Sequence, residues 1–193
     1  RFAAEAGLHS VTNYETYKAL WSAHNDGNYY ELAHSLDRNF DRMGRAAGRP
    51  GGPVLYNFAD NHDVDRVASQ LKDSRHLFPV YALLFTIPGI PSVYYGSEFA
   101  IEGRRGQHSD VDLRPTWKDV LQRREKMEPA AELCAFIAEL AEVRRSSAAL
   151  REGSFRRLHL DHHIVAFERA TKEERVIVVV SALDKQATIS IPV

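Results

Sequence analysis

The sequence predicts an α/β chain, with parallel strands and helical crossovers, that ends in a small antiparallel β module. Three observations predict it. Short apolar runs of strand type alternate with helical stretches from Leu8 to about Ser147. Gly/Pro clusters at 48–53 and 88–91 punctuate that alternation. After Ser147 the pattern changes to short β-branched or alternating runs separated by polar turns. The division expected is 1–147 for the α/β part and 148–193 for the β part.

The elements follow in order. Leu8 to Val11 reads as a short strand. Thr12-Asn13-Tyr14-Glu15 fits a capping box, with Thr12 as N-cap and Glu15 three residues on, opening a helix through Tyr17 and Leu20. A second helix, about Tyr29 to Met43, places Leu32, Leu36 and Phe40 at helical spacing. Gly48, Pro50, Gly51, Gly52 and Pro53 then interrupt the chain. Val54 to Asn57 is the next strand, and Val64-Asp65-Arg66-Val67-Ala68 can start the helical region after it. That region ends in Leu77 to Ile87, apolar nearly all round and therefore buried. Pro88 to Pro91 reads as a turn and Ser92 to Tyr95 as a strand closed by Gly96. A long polar loop, Ser97 to Lys118, has a length that in compact domains goes with function or with disorder. Pro129 suits the first turn of a helix whose stripe is Leu133, Phe136, Ile137 and Leu140. Phe155–Leu160, Ile164–Arg169, Val176–Val180 and Thr188–Ile191 complete the β module.

Composition narrows the function classes. The chain has 193 residues, 44% of them hydrophobic, enough for a sizeable core. A formal net charge of −1 gives no reason to expect nucleic acid or an acidic membrane surface as partner. Apolar runs stop short of membrane-spanning length; the longest, around Val80 to Ile87, ends at Pro88-Gly89. Cys134 is the single cysteine, so no intrachain disulfide forms; its place near an apolar stripe reads as a buried small hydrophobe.

Three constellations carry chemistry. Asn61-His62-Asp63 sits where a strand gives way to a helix, and α/β folds bind ligands beyond the carboxyl ends of their strands. From position alone Asp63 reads first as a helix cap. Adjacent ligands rarely converge on a metal, so the trio is a poor metal site. Glu98 follows the next strand; as the single carboxylate there it reads as a supporting group rather than a general acid. In the long loop, Asp110, Asp112 and Arg114 precede Trp117. A planar guanidinium beside carboxylates can grip vicinal hydroxyls, and a ring can stack on a sugar face; the bland reading is an exposed ion pair of little worth. Asp161-His162-His163 lies between two strand-like runs and reads as a polar hairpin turn rather than a metal site, and Gly103-Arg104-Arg105-Gly106 as flexible loop.

The combination is more specific than any part. Tyr56 to Asp63 resembles the seventh-strand motif of the alpha-amylase family of glycoside hydrolases, and Pro88 to Glu98 resembles its eighth-strand motif, in the right order with a helical region between. Asp112-Leu113-Arg114-Pro115-Thr116-Trp117 is similar to the Asp-x-Arg-Arg-Pro-x-x-Trp segment that follows, with Leu113 in place of the first Arg. Ser10 to Tyr14 resembles the sixth strand and its exit, and Asn13 to Leu36 is nearest to the neopullulanase and cyclomaltodextrinase-like members.

The resemblance implies a (β/α)8 TIM barrel with its site at the C-terminal strand ends. It also implies retaining cleavage of α-glucosidic bonds in maltodextrin- or starch-like substrates, through a nucleophilic Asp and a Glu acid. It makes Asp63 the transition-state stabiliser, His62, Asp110 and Arg114 substrate-binding residues, and Asn61 and Glu98 supporting ones. In that family the nucleophile and acid precede the sixth-strand match. They are therefore expected outside this chain, which reads as a fragment: an incomplete (β/α)8 barrel of strands six to eight with their helices, followed by a partial antiparallel β-domain. Such a fragment is expected to be inactive alone and to self-associate, since an open parallel sheet exposes edges and one face. The other class compatible with the motifs is a non-catalytic amylase-like carbohydrate-binding or interaction protein. No cofactor is expected in these residues; calcium is common in the family, but its ligands lie largely upstream. The nearest members favour a soluble, cytoplasmic protein.

Overall fold

In the computed structural model, residues 5–42, 54–127 and 129–192 are described, without side chains for 40–42. The break expected at 48–53 and the helix end at Met43 lie outside the described residues, as does the side chain of Phe40.

Three strands, β1 (Ser10–Thr12), β2 (Val54–Phe58) and β3 (Ile90–Ser92), form a parallel sheet in that order. Thr12 pairs with Tyr56 and Tyr56 with Ile90, so the C-terminal ends of all three strands come out side by side. Several boundaries differ from expectation: β1 begins at Ser10 rather than Leu8, β2 runs on to Phe58, and β3 ends at Ser92, which leaves Val93 to Tyr95 outside the ladder. β1 runs through Thr12, which is committed to the ladder, so the cap of helix α1 (Tyr14–Asp26) passes to Asn13, whose Oδ1 accepts from Thr16 N at 3.1 Å. β3 begins at Ile90, inside the expected turn, because it pairs with Tyr56 to Phe58. Pro91 is tolerated there since β3 is an edge strand of this sheet. Gly89 makes the entry possible: its φ is +122°, and a Cβ would sit 2.4 Å from Asn57 Nδ2.

Helices cover one face of the sheet. α1 and α2 (Tyr29–Arg42) pack together through Leu20, Leu32 and Leu36. α3 spans only Val67–Gln70, later and shorter than the expected start at Val64, because Arg66 is extended (ψ 139°) and its side chain is buried. A 3-10 turn at Ser74–His76 leads into α4 (Leu77–Thr86), whose Leu77, Val80, Leu83 and Leu84 are fully buried, as its apolar character predicts. The opposite face stays open at Tyr56 and Ile90, which pair across β2 and β3 and are 39% and 44% exposed.

A 3-10 turn, Ser97–Phe99, opens the long loop. The loop ends at Thr116, two residues before the expected Lys118, where α5 (Trp117–Arg124) begins and Thr116 and Asp119 form a reciprocal capping box. α6 (Ala130–Ser146) starts after Pro129 and buries Leu133 and Ile137, with Phe136 and Leu140 packed alongside. Cys134 on this helix is half-buried rather than buried, since it sits beside the stripe. A short helix, α7 (Ala148–Glu152), joins the second sheet, β4 (Ser154–Leu160), β5 (Ile164–Ala170) and β6 (Arg175–Ser181), antiparallel in that order. Asp161 Oδ1 accepts from His163 N and Ile164 N at 2.7 Å, which makes 161–163 the hairpin turn expected. Thr188–Ile191 is not a strand; its alternating pattern meets no ladder partner among the described residues. Val165, Phe167 and Val180 of the antiparallel sheet join the core that also holds Leu77 and Leu133, so both parts share one hydrophobic cluster. Among the described residues no helix is long and apolar enough to cross a membrane.

Burial gives His24 a clear consequence for stability. His24 is 3% exposed; its Nδ1 donates to Leu20 O, and its Nε2 accepts from Tyr29 Oη at 2.9 Å. Burial, the largest influence, lowers its pKa from 6.5 to about 4. Between those values the unfolded chain binds a proton that the folded chain refuses, so stability falls as pH drops through 6.5 towards 4. About 3 kcal/mol is expected to be lost over that window on this account. Urea unfolding at pH 7 and pH 4 tests it: His24→Gln should show a smaller loss by that amount, and an unchanged pH dependence refutes it.

Candidate active site

The C-terminal ends of β2 and β3 face the 97–118 loop, and the polar residues singled out in the sequence meet there. Leaving β2, Phe58 is held between Tyr17, stacked at 5.1 Å, and Tyr14, edge-on at 5.1 Å, which fixes the strand end. The chain then turns at Asn61, whose Oδ1 accepts from Asp63 N at 2.8 Å, an Asx turn. This presents His62 and Asp63 to solvent, with side chains 58% and 48% exposed.

Asp63 is not a helix cap. Its Oδ1 faces Arg114 Nη2 at 3.3 Å and its Oδ2 faces His62 Nε2 at 3.3 Å. Arg114 also reaches Asp110 Oδ2 at 3.2 Å, and its Nε donates to His62 O at 3.1 Å. One guanidinium therefore bridges the two carboxylates and grips the backbone beside them. Arg105, read from sequence as flexible loop, lies on the other side, its Nε 3.4 Å from Asp110 Oδ1. These pairs are exposed, and pairs of this kind contribute about 0–1 kcal/mol. Their alignment serves recognition better than stability. Fixed donors and acceptors side by side suit adjacent hydroxyls, and a carboxylate suits developing positive charge.

The carboxylate that takes the first amide of α3 is Asp60, which lies inside the Tyr56 to Asp63 motif but has no role there by residue type alone. It is 2% exposed; its Oδ2 accepts from Val67 N at 2.9 Å, and Ser97 Oγ lies 2.8 Å from both of its oxygens. Burial, the leading cause, raises its pKa. Ser97 in turn accepts from Arg66 Nη1 at 3.0 Å. Arg66 is fully buried and stacks on Tyr94 with its guanidinium carbon 4.2 Å from the ring centroid. Nothing in the residue pattern marks Asp60 or Arg66, because apart from Val67 their side-chain hydrogen-bond partners lie 29 to 47 positions away.

Glu98 sits on the 3-10 turn, half-buried, with Oε2 unpartnered among the described residues, which keeps it apart from the exposed cluster. Trp117 opens α5 and is 54% exposed. Among the described residues no group of three or more His, Cys, Asp or Glu could hold a metal ion.

No protein-family model matches the chain. Alpha-amylase 2 of Dictyoglomus thermophilum is 30% identical over 137 residues, 67% of this chain and 23% of that protein. Cyclomaltodextrinase of Thermoanaerobacter pseudethanolicus is 29% identical over 163 residues, 82% of this chain and 25% of that protein. The chain thus spans about a quarter of the length of these curated relatives. Among solved structures, the maltogenic amylase from S. marinus superposes with a TM-score of 0.78 at 24% identity, over 97% of this chain and 26% of that one. The cyclic alpha-maltosyl-(1→6)-maltose hydrolase from Arthrobacter globiformis superposes with a TM-score of 0.71 at 26% identity, over 90% of this chain and 37% of that one. Motif order, parallel register and these likenesses agree that the chain is similar to part of the alpha-amylase-family enzymes.

Proposed function

We propose that this chain supplies strands six to eight of the catalytic barrel, and the start of the C-terminal sheet domain, of a retaining glycoside hydrolase. The substrate is a maltodextrin- or starch-like α-glucan. The observation that carries the reading is the Asp63–Arg114–Asp110 cluster, exposed at the C-terminal end of the central parallel strand. Two structures of one solved relative point the same way on ligand class: the Arthrobacter globiformis hydrolase is in complex with cyclic alpha-maltosyl-(1→6)-maltose in one and with maltose in the other.

In this reading Asp63 holds sugar hydroxyls and stabilises the positive charge that develops at the anomeric carbon. His62 donates to the same ring, while Asp110 and Arg114 bind the neighbouring sugar on the non-reducing side. Asn61 sets the turn, and Glu98 is a supporting group on the exit of β3 rather than a member of the exposed cluster. The nucleophile and the general acid come from other segments of the barrel, so the 193 residues alone are inactive. Those segments would also cover the face that bears Tyr56 and Ile90. The purified chain tests both statements. It should release no reducing sugar from maltotriose and should scatter light as a dimer or larger at micromolar concentration. Turnover by contaminant-free chain refutes the division of catalytic groups, and a monodisperse monomer refutes the need for a covering partner.

A further inference from the structure

We propose that Arg66 is a positioning residue that holds Arg114 and Asp110 opposite Asp63; this rests on the roles given to those residues in the proposed function. Arg66 follows Asp63 by three positions but turns inward and is fully buried. Its guanidinium makes three bonds on two loops. Nη1 donates to Tyr95 O at 2.8 Å and to Ser97 Oγ at 3.0 Å, and Nη2 donates to Leu113 O at 2.8 Å. Leu113 is itself fully buried, and the next residue is Arg114. The backbone of Arg66 adds a further tie, its N donating to Gly103 O at 2.9 Å. Gly103 leaves no room for a side chain: a Cβ would come within 2.3 Å of Asp112 O and 3.2 Å of Arg66 Cγ.

The exposed Arg114–Asp63 and Arg114–Asp110 pairs are too weak to fix their own geometry. The rigid part lies behind them, where one planar fork joins the exit of β2, the exit of β3 and the 110–114 turn. Ser97 extends it by donating to Asp60 while accepting from Arg66. A lysine cannot reproduce that fork, because its single ammonium reaches one side at a time.

The test uses the full-length protein that carries this chain, with Arg66→Lys, Ser97→Ala, Arg114→Ala and the Arg66→Lys/Arg114→Ala double variant. Arg66→Lys should lower kcat/KM on maltotriose about tenfold or more, since small misplacements of aligned groups cost that much. Ser97→Ala should lower it less. In the Arg114→Ala background Arg66→Lys should add less than about a twofold loss, because residues acting through one another are not additive. Amide hydrogen exchange at 111–114 should rise in Arg66→Lys and Ser97→Ala. Losses that multiply in the double variant, or exchange at 111–114 equal to wild type, overturn the proposal. If Arg66→Lys does not fold, Ser97→Ala carries the same comparison. If the wild-type protein cleaves no α-glucan, the proposed function fails, and the exchange data still decide whether Arg66 holds the loop.

Discussion

Asp63→Asn, introduced into the protein with its full set of catalytic groups, is expected to lower kcat on maltotriose by ~10²–10³ and to leave the unfolding midpoint where it was. The two halves of that expectation come from the same geometry. Asp63 is half exposed and meets only exposed partners, His62 and Arg114, so its charge contributes little to folding. A carboxylate beside a developing oxocarbenium charge acts in the transition state far more than in the ground state, so its loss falls on kcat rather than on KM. Asn keeps the size and one acceptor oxygen, which makes charge the variable. A fall in the midpoint of several degrees, or a kcat within about threefold of wild type, would return Asp63 to a structural role.

The exposed half of this site was legible in the sequence, and the buried half was not. Asn61, His62, Asp63, Asp110 and Arg114 stand in short motifs whose order is informative, and the fold gathers Asp63, Asp110 and Arg114 around one guanidinium. Asp60 and Arg66 hold that group in place through contacts to Ser97 and Leu113, and such pairings appear only once the strands are in register. Boundary errors have the same origin. β3 starts at Ile90 because Tyr56 is its partner, and Thr12 is lost as a cap because the ladder claims it. Thr188–Ile191 has the alternation of a strand but no neighbour to pair with among the described residues. Local pattern specifies what a segment can become; the partner across the sheet decides where it begins and ends.

The largest stability effect expected is at Arg169, which was not singled out in the sequence at all. Helix α4 ends against the second sheet, where its last carbonyls have no partner within the helix. Arg169, from the middle strand of that sheet, donates to Thr86 O at 2.7 Å, to Ser154 O at 3.0 Å and to Gly153 O at 3.0 Å. Arg144, from α6, takes Phe85 O at 2.7 Å and Gly89 O at 2.5 Å. Burial, the main cause, and the mutual repulsion of the two cations lower the Arg169 pKa to about 9. A cation kept in such a place is held by carbonyl dipoles at a helix C-terminus, where positive charge is favoured. Arg169→Met would leave three carbonyls without donors, at about 1–3 kcal/mol each, partly offset by removing a desolvated charge. A net loss of about 4 kcal/mol is expected. Arg169→Lys should recover little of it, since one ammonium cannot serve carbonyls from a helix end and a strand entry together. Urea unfolding followed by circular dichroism measures the difference. A loss below about 1 kcal/mol would mean that water replaces the guanidinium at this junction and that the apolar contacts of Val165, Phe167 and Val180 hold the two sheets together without it.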